Sequence, residues 1–335
     1  MPELRKDAVT DRWVVIATER STRPHEFDRR RERVRRGVCP FCYGNESMTP
    51  PEIMAYRPYY APNHEGWEVR VVPNKFPALR IEGNLDPGRE VFYERMNGVG
   101  AHEVIIESPQ HNSSLGTHRL EQMEKIIWAL RDRLVDLKRD IRLKYIQIFK
   151  NEGAEAGASL EHPHFQLIAT PVIPQQISQE LEGARRFFWE KQQCVYCAMV
   201  DVERQMRKRL VDVSPHFVAF CPYASRFPYE IWIVPRRHSH DFGDIQVEEV
   251  QDLAKVLKLA IRRLEVALEN PPYNLVLHNA PNEGGHENYY HWHLEIVPRL
   301  TVIAGFELGT GYYINPTSPE VAAGIIKNVQ VPLWQ

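Results

Sequence analysis

The sequence predicts an α+β protein made of two tandem copies of one module, each a mostly antiparallel sheet with a packed amphipathic helix. Three observations predict it. One ordered set of features occurs twice along the 335 residues. Each set contains one long segment with apolar residues at three-and-four spacing. The other apolar runs are short, rich in β-branched and aromatic residues, and bounded by Pro, Gly and Asn, as strands are.

In the first half the order starts with Cys39-Pro-Phe-Cys42, followed by the apolar run Val104-Ile-Ile leading to a turn at His111. A helical segment near 117–138 comes next, with Leu120, Met123, Ile126, Ile127, Leu130, Leu134 and Leu137 on one face. Then come a strand from Tyr145 that ends at Asn151, a Gly/Ala loop, and a strand beginning His162-Pro-His164-Phe-Gln166. The second half repeats this with Cys194-Val-Tyr-Cys197, Ile231-Trp-Ile-Val leading to His238, and a helical segment near 246–268. It continues with a strand from Tyr273 that ends at Asn279, a Gly-containing loop, and His291-Trp-His293-Leu-Glu295. The turn histidine and the strand asparagine are 40 residues apart in one half (111 to 151) and 41 in the other (238 to 279). From the asparagine to the His-x-His pair the distances are 11 and 12. Chance does not match four features so closely. The expected domains are 1–175 and 176–335, joined near 172–185.

Composition limits the function classes. With 43% hydrophobic and 26% charged residues the chain can build proper cores. A net charge of -2 gives no general attraction to nucleic acid or to a membrane surface. The six arginines between Arg29 and Arg36 are a local exception, and such a run ordinarily makes a solvated face. There is no run of about 18 apolar residues and no apolar N-terminal stretch, so a cytoplasmic protein is expected. Four of the five cysteines fall in Cys-x-x-Cys pairs, which suits metal thiolates in a reducing compartment better than disulfides. Cys221 is left for the core.

Each half thus supplies two cysteines, a turn histidine and the first histidine of a His-x-His pair. Two thiolates and two imidazoles form the closed tetrahedral set that structural zinc prefers. Site one is Cys39, Cys42, His111 and His162; site two is Cys194, Cys197, His238 and His291. Each would tie a loop, a turn and a strand together, so metal binding would add directly to folding free energy.

The period of two along a strand puts His162, His164 and Gln166 on one face. With His162 turned to a metal, His164 is held beside it with a free ring nitrogen. A neutral imidazole can attack phosphorus near pH 7 without a separate base, giving a nucleotidyl-histidine. The small-residue loop from Asn151 to Ser159, with the side chains of Ser159 and Gln166, can approach phosphate oxygens. A bare His-x-His is more often a metal pair or an exposed face.

The motif HPHFQ at His162–Gln166 resembles the His-Pro-His-x-Gln signature of galactose-1-phosphate uridylyltransferases, a branch of the histidine-triad superfamily with two similar domains per chain. The resemblance covers nearly the whole chain: Thr10-Asp-Arg-Trp-Val-Val-Ile, Arg20-Ser-Thr-Arg23-Pro, CPFCYGNE from Cys39, Val72-Pro-Asn74-Lys-Phe-Pro-Ala, GASLEHPH, and Ala304-Gly-Phe-Glu307. It implies two histidine-triad-like modules and a ping-pong reaction. His164 would take uridylyl from UDP-glucose and pass it to galactose 1-phosphate, with no free metal ion in the chemistry. By the same resemblance Gln166 assists the phosphoryl oxygens, and Asn151 and Ser159 line the phosphate site. Arg20, Arg23 and the Asn74-Lys75-Phe76 segment belong to the nucleotide pocket, Glu307 touches the hexose, and the protein is a homodimer whose sites draw on both subunits.

The sequence departs from that pattern at Phe165, where a small residue is usual, at Lys75, where an aspartate is usual, and at Thr301, where a lysine is expected. The closing segment from Gly305 and the second Cys-x-x-Cys also resemble ADP-glucose phosphorylases, which carry an adenylyl-histidine and use phosphate as acceptor. Some uridylyltransferases hold iron in the second domain through a glutamate and three histidines, and Glu180, His278, His291 and His293 match those positions. Both sets claim His291, and the repeat favours the cysteine set. Glu295 stands where Gln166 stands in the first half, and a carboxylate repels phosphate, so a second active centre is not expected. A different class remains: a non-catalytic, zinc-stabilised nucleotide- or RNA-binding protein, which would have no need of the His164 and Gln166 pair.

Overall fold

The computed structural model describes residues 2–22, 37–58 and 61–331. Arg23 and the arginine run at 29–36 lie outside the described residues. Strands β1 (Glu3–Lys6) and β2 (Trp13–Ile16) open the chain, followed by β3 (Met54–Tyr56), β4 (Val69–Pro73) and the hairpin β5 (Gly88–Glu90) and β6 (Tyr93–Arg95). The first half continues through β7 (Ala101–Ile106), α1 (Leu120–Leu137), β8 (Tyr145–Glu152) and β9 (His164–Thr170). Helices α2 (Gln175–Lys191) and α3 (Val195–Met206) precede β10 (Leu210–Val213), β11 (Phe217–Phe220) and β12 (Ile231–Pro235). The chain ends with α4 (Val247–Ala267), β13 (Tyr273–His278), β14 (His293–Pro298), α5 (Gly305–Thr310), β15 (Tyr313–Asn315) and α6 (Pro319–Asn328).

The fold is α+β, as the sequence predicts. Ten strands form one sheet in the order β10-β11-β12-β14-β13-β8-β9-β7-β4-β3, every neighbour antiparallel. Read outward from the centre, each half contributes five strands, and β8, β9, β7 correspond to β13, β14, β12. The two modules meet edge to edge along β8 and β13, where Lys150 pairs with Leu275 and Asn151 with Asn274. A small sheet of β1, β2 and β15 ties the early residues to the late ones.

Helices α1 and α4 lie side by side on one face of the large sheet. Their apolar stripes, among them Met123, Ile127, Leu134, Leu253, Leu257 and Leu264, bury against Ile148, Phe165, Leu275 and Ile296. At roughly 25 cal/mol per Å² of apolar surface, a core of this extent is the main stabilising contribution. The opposite face differs between the halves. Over the second half, α2 and α3 pack Ile177, Leu181, Ala184, Tyr196 and Val200 onto Phe220, Trp232 and Val234. Over the first half a smaller cluster of Phe41, Trp67, Val72, Val104 and Ile106 sits beside the Cys39–Cys42 turn.

Beyond the packed helix of each module, α1 and α4, the second half carries the additional helices α2 and α3. The stretch read as a join near 172–185 is largely α2, whose Ile177, Leu181 and Ala184 make a short buried stripe. The N-terminal segment crosses this helix closely. A Cβ built on Gly183 would lie 1.6 Å from the Val9 carbonyl oxygen, so glycine is required there. Among the described residues no helix is long and apolar enough to cross a membrane.

Candidate active site

The Cys39–Cys42 turn, the turn at His111 and the approach to β9 converge on site one. Cys42 Sγ lies 3.4 Å from His111 Nδ1 and 3.6 Å from His162 Nδ1, and Cys39 Sγ lies 3.7 Å from His162 Nδ1. Zinc at ordinary Zn–S and Zn–N lengths and a tetrahedral angle requires an S···N edge of about 3.6 Å. The donor set therefore fits the ion. His162 donates its Nε2 hydrogen to the Ser108 carbonyl at 2.7 Å, which leaves Nδ1 facing the thiols, as an outer-shell bond to a metal-ligating histidine does. Burial, the largest influence, holds His162 down to about 4, so it is neutral.

His164 opens β9 opposite Ile106 of β7. Its Nδ1 lies 2.8 Å from the His162 carbonyl, which can only accept, so Nδ1 carries the hydrogen and Nε2 keeps its lone pair. Burial lowers its pKa, which keeps the ring neutral. Phe41 packs edge-on against both rings, at 5.9 Å from His162 and 5.4 Å from His164. The turn that carries two cysteines of a set able to hold a metal thus also packs against His164.

Asn151 stands at the end of β8, and the next step of the β8–β9 ladder after Lys150 and Phe165 sets it opposite His164. Its Oδ1 accepts from Asn274 Nδ2 at 2.8 Å, and the same amide donates to the Ala156 carbonyl at 2.8 Å. A residue of the second half therefore closes the small-residue loop of the first. That loop turns through positive φ at Gly153 and Gly157, and Ser159 lies exposed at its end. Gln166 Oε1 lies 3.0 Å from His102 Nε2, and the Ala78 N–H donates to His102 Nδ1 at 3.1 Å. Asn74 joins the same group, 3.1 Å from the His102 ring.

The remaining candidate residues are less closely gathered. Lys75 and Phe76 are exposed on the loop after β4, with Lys75 Nζ 3.4 Å from the Met48 carbonyl. Arg20 is half-buried in the short turn Thr18–Thr22. Glu307 sits on α5, which packs on β15 of the small sheet, and its carboxylate bonds back to the Ala304 N–H at 3.1 Å. The strands that carry His164 do not position it.

In the second half Cys197 Sγ lies 3.3 Å from His238 Nδ1 and 3.6 Å from His291 Nδ1, with Cys194 Sγ 4.0 Å from the latter. His238 Nε2 donates to the Glu287 carbonyl at 2.7 Å, repeating the outer-shell bond of site one. A separate group is formed by Glu180, His278 and His293. Of the four residues of the alternative set, His291 groups with Cys194, Cys197 and His238, its Nδ1 turned to the cysteines at the start of α3. Both nitrogens of His278 face carboxylates, Glu180 at 3.1 Å and Glu295 at 3.2 Å. Burial opposes a charge there, but the two carboxylates overcome it and hold His278 up to about 10. In the metal-free chain the two carboxylates thus favour the charged ring, while the donor atoms of Glu180, His278 and His293 lie close enough together to hold an ion.

The register corrects one further detail. His278 pairs with His293 just as Asn151 faces His164, so the counterpart of Asn151 is His278 and not Asn279. Asn279 points to the other face, where it accepts from the Phe242 N–H at 2.6 Å. The 41-residue spacing, one longer than its mate, was the signal, since a slip of one residue changes the face. His102 and Asn274 were missed because a single polar residue on an apolar strand reads as an exposed position.

The galactose-1-phosphate uridyl transferase N-terminal domain family matches residues 1–174, and a domain of unknown function (DUF4921) matches 99–330. An ADP-glucose phosphorylase of Arabidopsis thaliana is 36% identical over 98% of this chain and 93% of its own. A galactose-1-phosphate uridylyltransferase of Thermotoga maritima is 31% identical over 99% of this chain and 100% of its own. Among solved structures, an Arabidopsis thaliana ADP-glucose phosphorylase with bound ADP-glucose superposes with a TM-score of 0.85 at 37% identity, covering 99% of this chain and all of that one. A uridylyltransferase superposes at 0.76 with 29% identity, covering 98% of this chain and 97% of that one. Fold, site and relatives together define a nucleotidyl-transferring enzyme. The chain belongs to the galactose-1-phosphate uridyl transferase family.

Proposed function

We propose that this enzyme transfers a nucleoside monophosphate from a sugar nucleotide by a ping-pong reaction through a nucleotidyl-His164 intermediate. The observation that carries this reading is the hydrogen on Nδ1 tied to the His162 carbonyl, which leaves a lone pair on Nε2 of a ring that burial keeps neutral. Nε2 attacks the α-phosphorus, the bond from phosphorus to the bridging oxygen breaks, and sugar 1-phosphate leaves with that electron pair. In the second step a phosphate oxygen of the acceptor attacks the same phosphorus and the P–N bond breaks. Gln166, Asn151, Ser159 and the backbone of the 153–158 loop hold the phosphoryl oxygens. Arg20, Arg23, Asn74, Lys75 and Phe76 take the nucleotide. Zinc in both Cys2His2 sets would supply rigidity and not chemistry.

For base and acceptor we favour an adenylyl group from ADP-glucose, with inorganic phosphate as acceptor. The 37% identity and TM-score of 0.85 to the ADP-glucose complex support it, as does Lys75 in the place of an aspartate. This reverses the order suggested by the motifs alone. Uridylyl transfer from UDP-glucose to galactose 1-phosphate is the second reading, supported by the 31% identical Thermotoga maritima relative. Glu307, whose helix packs on β15 of the small sheet, suits a homodimer in which it serves the other subunit's sugar. We assign the nucleophile to residues 1–175 and a supporting role to 176–335, in a cytoplasmic protein. Incubation with α-phosphorus-labelled ADP-glucose and UDP-glucose tests this. One acid-labile, alkali-stable label per chain, lost in His164→Gln, is expected. No label from either donor leaves the non-catalytic binder as the reading, and faster labelling by UDP-glucose reverses the order of the two enzymes.

A further inference from the structure

We infer that His102 is a positioning residue that sets which end of the Gln166 amide faces the phosphoryl group; the inference rests on the nucleotidyl-transfer reading above. Strand register puts His102 on β7 opposite Ile168, and the period of two places His102, Val104 and Ile106 on the same face as Gln166 and His164.

The protonation of the His102 ring follows from a backbone group whose role is not ambiguous. The Ala78 N–H can only donate, so His102 Nδ1, 3.1 Å away, is the acceptor and the ring hydrogen sits on Nε2. Two side chains face that Nε2: Gln166 through Oε1 at 3.0 Å and Asn74 through Nδ2 at 3.1 Å. Asn74 has its own oxygen taken by the Phe76 N–H at 2.9 Å, so Gln166 Oε1 receives the His102 hydrogen.

The consequence falls on Gln166. An amide has one accepting end and one donating end, and phosphoryl oxygens only accept. With its oxygen turned to His102, Gln166 offers its NH2 group to the phosphate. Without that bond the amide can flip and set its oxygen against an anion, which is repulsive. His102 is bound to the 74–78 loop at two points, through its ring to the Ala78 N–H and through its carbonyl to the Asn74 N–H at 2.8 Å. The 74–78 loop, assigned above to the nucleotide, and the orientation of Gln166 are therefore linked through one residue.

The test is single-turnover formation of the nucleotidyl-enzyme from labelled ADP-glucose and UDP-glucose, with zinc content and circular dichroism as folding controls. His102→Phe keeps a ring and removes the donor. It should slow transfer about 10- to 100-fold while changing sugar-nucleotide affinity less than about threefold. His102→Gln, which keeps a donor near Nε2, should stay within about threefold of wild type. In a Gln166→Ala background, His102→Phe should add no further loss, because its whole effect passes through Gln166. Multiplying effects in the double variant overturn the inference, as does a labelled His102→Phe at wild-type rate. Absence of label on the wild-type protein overturns the underlying reading instead.

Discussion

His164 and His293 occupy equivalent places in the two halves and are set up by the same backbone device. Each follows a metal-set histidine by two residues and gives its Nδ1 hydrogen to that histidine's carbonyl, at 2.8 Å and 3.1 Å. Beyond that they diverge. His164 has Gln166 and Asn151 beside it and a loop of small residues in front. His293 is stacked against His278 at 4.6 Å and Trp232 at 4.9 Å, with Tyr196 of α3 a further 4.9 Å neighbour. Its Nε2 is buried without a hydrogen-bond partner among the described residues, and Glu295 stands 3.9 Å away. The anchored imidazole is therefore not sufficient for nucleophilic chemistry. What distinguishes the first half is Gln166 and Asn151 where the second half has Glu295 and His278, and a ring not stacked as His293 is between Trp232 and His278.

The sharpest way to break this comparison is to exchange the two histidines for glutamine. His164→Gln should lower turnover by about 10⁴-fold or more, whereas His293→Gln should leave the turnover of folded protein within about threefold. Equal losses in steady-state assays would mean that the covered site takes part after all. Next in size is Glu295→Gln. Glu295 carries bonds from His278 and Arg226, so its neutralisation should cost about 3–5 kcal/mol in denaturant unfolding. Label stoichiometry should remain one per chain, because α2 and α3 still cover the face. A second label would show that the carboxylate alone silences that half.

The metal sets give a smaller contrast. Cys42→Ser and Cys197→Ser should each remove about one zinc per chain by elemental analysis. Only Cys42→Ser should also slow nucleotidyl transfer, by about 10- to 100-fold, since its site holds the strand of His164. The mildest effect is on pH dependence. His278 is raised from its ordinary value to about 10, so its contribution to stability is complete below about pH 6.5 and is lost as pH rises through 10. Wild-type unfolding midpoints should fall more steeply than those of His278→Gln between pH 7 and 10, and parallel curves would remove the charge from His278.

Much of this contrast is legible in the chain itself. The doubled order of Cys-x-x-Cys, turn histidine and His-x-His specifies which four side chains converge in each half, because ligand chemistry restricts residue type as well as spacing. Helices α1 and α4 announce themselves through long apolar stripes. Helix α2 does not, since Ile177, Leu181 and Ala184 are a sparse stripe in a polar segment. Nothing local marks the β8–β13 pairing, because strands carry no address for a distant edge. The assignment of Asn279 as the mate of Asn151 failed for a related reason: a one-residue slip is invisible until strands are paired. His102 and Asn274 matter through single hydrogen bonds to residues far along the chain, which periodicity cannot reveal.

The seam where Asn274 reaches across to Asn151 also means that the second half cannot be discarded. A chain cut after residue 175 would leave β8 as a bare edge with a row of unpaired amides and carbonyls, a template for sticking to other copies. It would also lose the amide that shuts the 153–158 loop. Within one chain, then, the second half serves the first as the cover of its sheet edge.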